Sequence, residues 1–128
     1  MPIGSAIVAA RAGLVVQVEE SHRDGEVAPT GFDNLLVIAH EEGTTALYGH
    51  LTHEGALVER GDRVAQGAPI ARSGNTGNTG NKAHLHFSVA PCDPVARGTS
   101  ACPTLPVNFR NTDPNPEGLL RGRAYRAE

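Results

Sequence analysis

The chain has 128 residues, the size of one domain, with 11 basic and 14 acidic residues for a formal net charge of -3. No basic block stands out before Arg121, Arg123 and Arg126, so nothing would neutralise a row of phosphates and no nucleic-acid partner is expected. No apolar run approaches the roughly 20 residues that span a bilayer, and 15 Gly with 9 Pro favour turns and short strands over long helices.

In chain order, residues 6–9 and 14–18 read as strands on either side of a turn at Gly13. Residues 21–30 are polar, with Gly25 and Pro29, and read as an exposed loop. The apolar run 35–38 reads as a buried strand, and Glu41-Glu42-Gly43 turns it into a second strand over 44–48, a hairpin. Residues 57–71 place short apolar pairs before Gly turns, the rhythm of a chain stepping between small sheets. Residues 73–82 hold no large apolar side chain and repeat Asn-Thr-Gly at 75–77 and 78–80. Because His84 follows at once, this stretch is expected at the rim of a site. Residues 84–90 read as a strand, and 104–109 as a last one interrupted by Pro106. No sustained helical period appears, so the expected fold is all-β: small antiparallel sheets forming a β-sandwich with a groove.

Cys92 and Cys102 lie too far apart for a zinc-ribbon pair and lack two further ligands. A disulfide closing a short loop is the better reading, with two packed free thiols as the alternative. A disulfide would imply an oxidising compartment.

The sharpest chemical signal is His84-Leu85-His86-Phe87. Side chains alternate along a strand, so His84 and His86 share one face while Leu85 and Phe87 take the other. Two neutral imidazoles on one cavity can hold a divalent metal, or divide metal binding and proton handling between them. In Tyr48-Gly49-His50-Leu51 the same alternation puts His50 on the face of Tyr48. A sheet pairing the two segments would gather His50, His84 and His86. His40 is expected to cap its strand by hydrogen bonding, and His22 and His53 to play no part.

These segments resemble, in order, the motif series of the lysostaphin-type (LytM-domain) zinc metallopeptidases. The series is Gly4 to Ala10, Gly13-Leu14-Val15, Tyr48-Gly49-His50-Leu51, Val58 to Gly67, Ser73-Gly74-Asn75-Thr76-Gly77 and His84-Leu85-His86-Phe87. Residues 1–90 would be the metallopeptidase domain and 91–128 a C-terminal extension bearing the cysteine pair. The resemblance implies the duplicated hybrid motif fold, zinc as cofactor and cleavage of peptide cross-links in peptidoglycan. It implies a periplasmic or extracellular location, with any export signal upstream. It makes His86 a zinc ligand and His50 and His84 the catalytic pair. The family's other two ligands come from an upstream His-x-x-x-Asp, whose place falls before Met1. Asp33 and Asp62 sit in other positions of the series and receive no ligand role. The sequence therefore reads as part of an enzyme whose first ligand segment lies upstream. The alternative is a degenerate module that binds cell wall or activates a partner hydrolase. A biotinyl- or lipoyl-type carrier is disfavoured, because the single Lys, Lys82, is not at a hairpin tip.

Overall fold

The structure, a computed structural model, describes residues 1–26, 33–98 and 100–107. Among the described residues, seven strands account for nearly all regular structure: β1 (Ala6–Val8), β2 (Gly13–Glu19), β3 (Asn34–Ala39), β4 (Thr45–Ala56), β5 (Arg63–Val64), β6 (Pro69–Ser73) and β7 (His86–Ala90). One short helix, α1 (Pro94–Arg97), follows, with Asp93 accepting the Val95 and Ala96 N–H groups at its start. The fold is all-β and every strand pairing is antiparallel.

The strands join in one hydrogen-bonded path, β1-β6-β4-β3-β2-β5, and β7 pairs with β4 off that path. The expected hairpin is the β3–β4 pair. Its turn is closed by the His40 N–H on the Thr44 carbonyl (2.8 Å) and the Gly43 N–H on the His40 carbonyl (3.0 Å). Gly43 has φ +100°, a conformation that favours glycine.

β4 organises the molecule. The sequence pattern ends it at Tyr48, but it runs on to Ala56, because its far half finds a new partner. β3 lies along one edge; on the other, β7 covers Thr45 to Gly49 and β6 meets Leu51 and Ala56. The chain between β6 and β7 therefore leaves β4 on one side of His50 and returns on the other.

The core forms from Ile7, Val15, Leu36, Ile38, Tyr48, Leu51 and Ile70, all buried. Leu85, Phe87 and Val89 pack against it at every second position, while His84 and His86 are exposed on the opposite side. Tyr48 and Phe87 meet with ring centroids 5.2 Å apart, and the Tyr48 hydroxyl accepts the Ala10 N–H at 2.9 Å. Burial raises the Tyr48 pKa, while the Ala10 hydrogen bond opposes it.

Two expectations shift. β7 starts at His86, so His84 and Leu85 precede the strand, although their exposure alternates as a strand's would. Of the expected last strand, residues 108 and 109 lie outside the described residues; before them the chain makes only an isolated bridge, Leu105 to Val89. Cys92 and Cys102 are disulfide-bonded, with Cα atoms 5.5 Å apart. The bond closes the loop that carries α1.

Candidate active site

His50 is where β4 departs from regularity. On β3, Asn34 faces Leu51 and the next residue, Leu35, faces Gly49, so His50 is an extra residue with no partner. It is a β-bulge, and its φ of +60° is one of three positive values among non-glycine residues described. The bulge corrects the expected face. Tyr48 points into the core against Phe87, and unbroken alternation would send His50 the same way. The extra residue instead turns its ring toward the opposite side of β7. There the ring centroids of His50 and His84 are 4.7 Å apart, and those of His50 and His86 are 5.8 Å apart. The three histidines come together, through a bulge rather than through simple alternation.

The hydrogen bonds of two rings fix their tautomers. The His50 Nδ1 lies 2.8 Å from the Thr76 carbonyl oxygen, and the His84 Nδ1 lies 2.9 Å from that of Lys82. A carbonyl only accepts, so each Nδ1 carries the proton and each neutral ring keeps an unprotonated Nε2. His86 has its pKa lowered, first by burial and then by His50, with Asp33 opposing and His84 reinforcing. Its neutral, metal-binding form is thereby favoured.

Asp33, given no role from sequence, stands beside this group. Its Oδ2 accepts the His50 backbone N–H at 3.4 Å and lies 3.7 Å from the His50 Nδ1. Two glycines make room for it. A Cβ on Gly49 would come within 3.1 Å of the Asp33 Oδ2, and one on Gly77 within 2.5 Å of the Asp33 Cβ. Asp62 is elsewhere, accepting the Glu59 N–H in a turn. No local pattern distinguishes the two carboxylates, because the contacts of Asp33 depend on which strands meet.

The segment 73–77 is buried and the rest of the loop is largely exposed, so the loop forms a wall as well as a rim. Asp24 fastens it: its carboxylate accepts from the Thr52 hydroxyl, the Asn75 N–H (2.8 Å) and the His53 N–H (3.1 Å). Burial pushes the Asp24 pKa up, but these hydrogen bonds together outweigh it and hold the carboxyl below its ordinary value. His40 lies at the far end of the β3–β4 hairpin, bonded to Thr44, and His53 is half-buried within β4.

Zinc can be tested against these side chains. His86 is neutral by preference, and a neutral His50 or His84 ring bonded through Nδ1 offers its Nε2 lone pair, which suits one wall of a zinc site. Among the described residues, however, no group of three or more His, Cys, Asp or Glu is arranged to hold a metal. The trio fits a shared site, to which other ligands must be added.

Comparison with known proteins shows the family of the chain. Residues 1–97 match the family model "Peptidase family M23". The chain is 32% identical over 97 residues to the lipoprotein NlpD/LppB homolog of Pseudomonas aeruginosa, covering 73% of this chain and 29% of that protein. It is 33% identical over 89 residues to the peptidoglycan DD-endopeptidase ShyA of Vibrio cholerae, covering 70% of this chain and 18% of ShyA. A zinc-containing peptidase from Vibrio cholerae superposes with a TM-score of 0.55 at 34% identity, covering 70% of this chain and 24% of that one. The chain thus spans less than a third of the length of the curated relatives it matches. With the ordered motifs, the antiparallel fold and the histidine cluster in place, this chain belongs to peptidase family M23.

Proposed function

We propose that the chain is the β-core of a zinc metallo-endopeptidase that cleaves peptide cross-links of bacterial peptidoglycan. The observation that carries this reading is the convergence of His50, His84 and His86 through a bulge in β4. His86 would be the zinc ligand this chain contributes. Zinc held in such a site lowers the pKa of a bound water to about 7. The unprotonated Nε2 of His50 or His84 would take the proton from the attacking water. The resulting N–H would then donate to the oxyanion as negative charge develops on the scissile carbonyl oxygen. The disulfide supports a periplasmic or extracellular setting, where such a bond persists and where peptidoglycan is met.

A second reading has one observation in its favour. The described residues offer no group of three or more metal ligands, as a degenerate module that binds cell wall or activates a partner hydrolase would not need one. Muropeptide release separates the two. The 128-residue chain is compared with the same chain preceded by a segment carrying His-x-x-x-Asp, and with His86→Ala in the longer protein. The enzyme reading expects cleavage only by the longer protein, abolished by His86→Ala. Cleavage by the short chain would refute the ligand assignment; an inert longer protein would favour the binding module.

A further inference from the structure

We propose that Thr76 and Asn34 are positioning residues of this site, fixing His50 as its Nδ1–H tautomer by clamping the Thr76 carbonyl against the ring. The inference rests on the reading of His50 as a proton-handling residue, but its observations are independent of any cleavage.

The bulge at His50 creates the need. Where β3 and β4 fall out of step, the Asn34 N–H and the Leu51 carbonyl lie beside the extra residue. Both groups are buried, where an unmet donor or acceptor is costly. The Thr76 hydroxyl meets both at once, accepting the Asn34 N–H at 3.0 Å and donating to the Leu51 carbonyl at 2.8 Å. Thr76 is completely buried, so water cannot replace that hydroxyl without a rearrangement. The same residue's carbonyl accepts the His50 Nδ1–H at 2.8 Å. One side chain thus repairs the bulge, and its own backbone sets the proton of the bulged residue.

Asn34 anchors the other side. Its Nδ2 donates to the carbonyls of His22 (2.8 Å), Thr52 (3.2 Å) and Leu51 (3.3 Å), and its Oδ1 accepts the His22 N–H at 2.9 Å. The Gly74 N–H, donating to the His50 carbonyl at 2.9 Å, closes the clamp around the bulge. Asp33 is the competing acceptor for the ring. At 3.7 Å its Oδ2 is beyond hydrogen-bond reach of Nδ1, so the carbonyl holds the proton. A carboxylate in that place could lose its charge or swing away; a clamped carbonyl can do neither. The Nε2 lone pair is thereby kept available to whatever occupies the groove.

Long-range 1H–15N correlation NMR of the metal-free chain reads the tautomer directly, without substrate. The wild-type protein should show His50 with a protonated Nδ1 and an unprotonated Nε2. Thr76→Ser, which keeps the hydroxyl, should retain that pattern. Thr76→Val and Thr76→Ala, which remove it, should shift His50 toward averaged tautomers. In a cleaving form of the protein, Thr76→Val should lower kcat on the order of 100-fold with little change in KM, as expected for a misplaced group, and Thr76→Ser should restore it. A wild-type His50 protonated on Nε2 overturns the proposal whether or not Thr76→Val folds. So does a folded Thr76→Val or Thr76→Ala with the wild-type tautomer. A protein extended by the His-x-x-x-Asp segment that never cleaves, with the expected tautomers, would count against the enzyme reading and leave the clamp standing.

Discussion

The β3–β4 hairpin has a histidine at its turn and another at its bulge, and their surroundings differ. His40 and His50 both have mostly buried side chains, 4% and 13% exposed, and both hold Nδ1 against an oxygen. At His40 the oxygen is the Thr44 hydroxyl, which donates its own proton to Glu42 and so accepts from the ring. The His40 Nε2 is then a buried acceptor with no hydrogen-bond partner among the described residues. Burial lowers the His40 pKa, Glu42 opposes and Arg11 reinforces. At His50 the oxygen is a clamped carbonyl, and two further imidazoles stand beside the ring. Burial and a fixed tautomer are thus common to both. What sets His50 apart is convergence, produced by one extra residue in β4 and the loop that wraps it.

The bulge end should therefore tolerate less change than the turn end. At the bulge, a Cβ on Gly74 would sit 2.4 Å from the Asp24 Oδ1 and 2.5 Å from the Thr52 nitrogen. Gly74→Ala should destabilise by about 3 kcal/mol, the upper range for overpacking. At the turn, a Cβ on Gly43 would meet nothing within 4 Å, but the residue has a φ of +100°. Gly43→Ala should cost about 1 kcal/mol, as a left-handed conformation does for an L-residue. Urea unfolding of both variants checks the ranking, and equal losses would break the comparison.

The disulfide belongs to neither end and should separate stability from site geometry. Closing a loop with a sequence separation of 10, it should contribute about 2–3 kcal/mol through the unfolded chain. Cys92→Ser with Cys102→Ser should lower the unfolding midpoint accordingly while the His50 ring signals stay in place. Movement of those signals would mean that the C-terminal loop also shapes the groove.

A smaller effect at His40 depends on pH. Its folded pKa is depressed, so the unfolded chain binds the proton more readily. The stability it contributes is fully present above the unfolded value of about 6.5 and is lost as pH falls through the folded one. Melting temperatures measured from neutral to mildly acidic pH should show that decline. His40→Gln, which cannot titrate, should reduce the slope and leave the part due to His86, whose pKa is also lowered; an unchanged slope would refute the assignment.

Much of this is legible locally. The alternation of His84 to Phe87 separates core from groove, and the Gly-punctuated apolar runs place the strands. Three histidines can be gathered from two motifs, but the reason they meet cannot. Alternation puts His50 with Tyr48; the bulge overrules it, and a bulge shows only when Asn34 is paired with Leu51 and Leu35 with Gly49. Asp33, Asp24, Asn34 and Thr76 stay silent for a similar reason. Thr76 bonds Asn34 across a separation of 42 residues and Asn75 bonds Asp24 across 51, distances over which no periodicity carries information. α1 escapes because four residues are too few to show a helical repeat.

The histidines at the bulge, and not the histidine at the turn, should form the metal-binding side of this fold. Zinc affinity by competition with a chromophoric chelator tests this most directly, in the protein preceded by a segment carrying His-x-x-x-Asp. His86→Ala should weaken zinc by more than about 100-fold, beyond what loss of an outer partner does, while His40→Ala should leave affinity within a few-fold of wild type. Equal affinities for His86→Ala and wild type, or a loss confined to His40→Ala, would contradict the account.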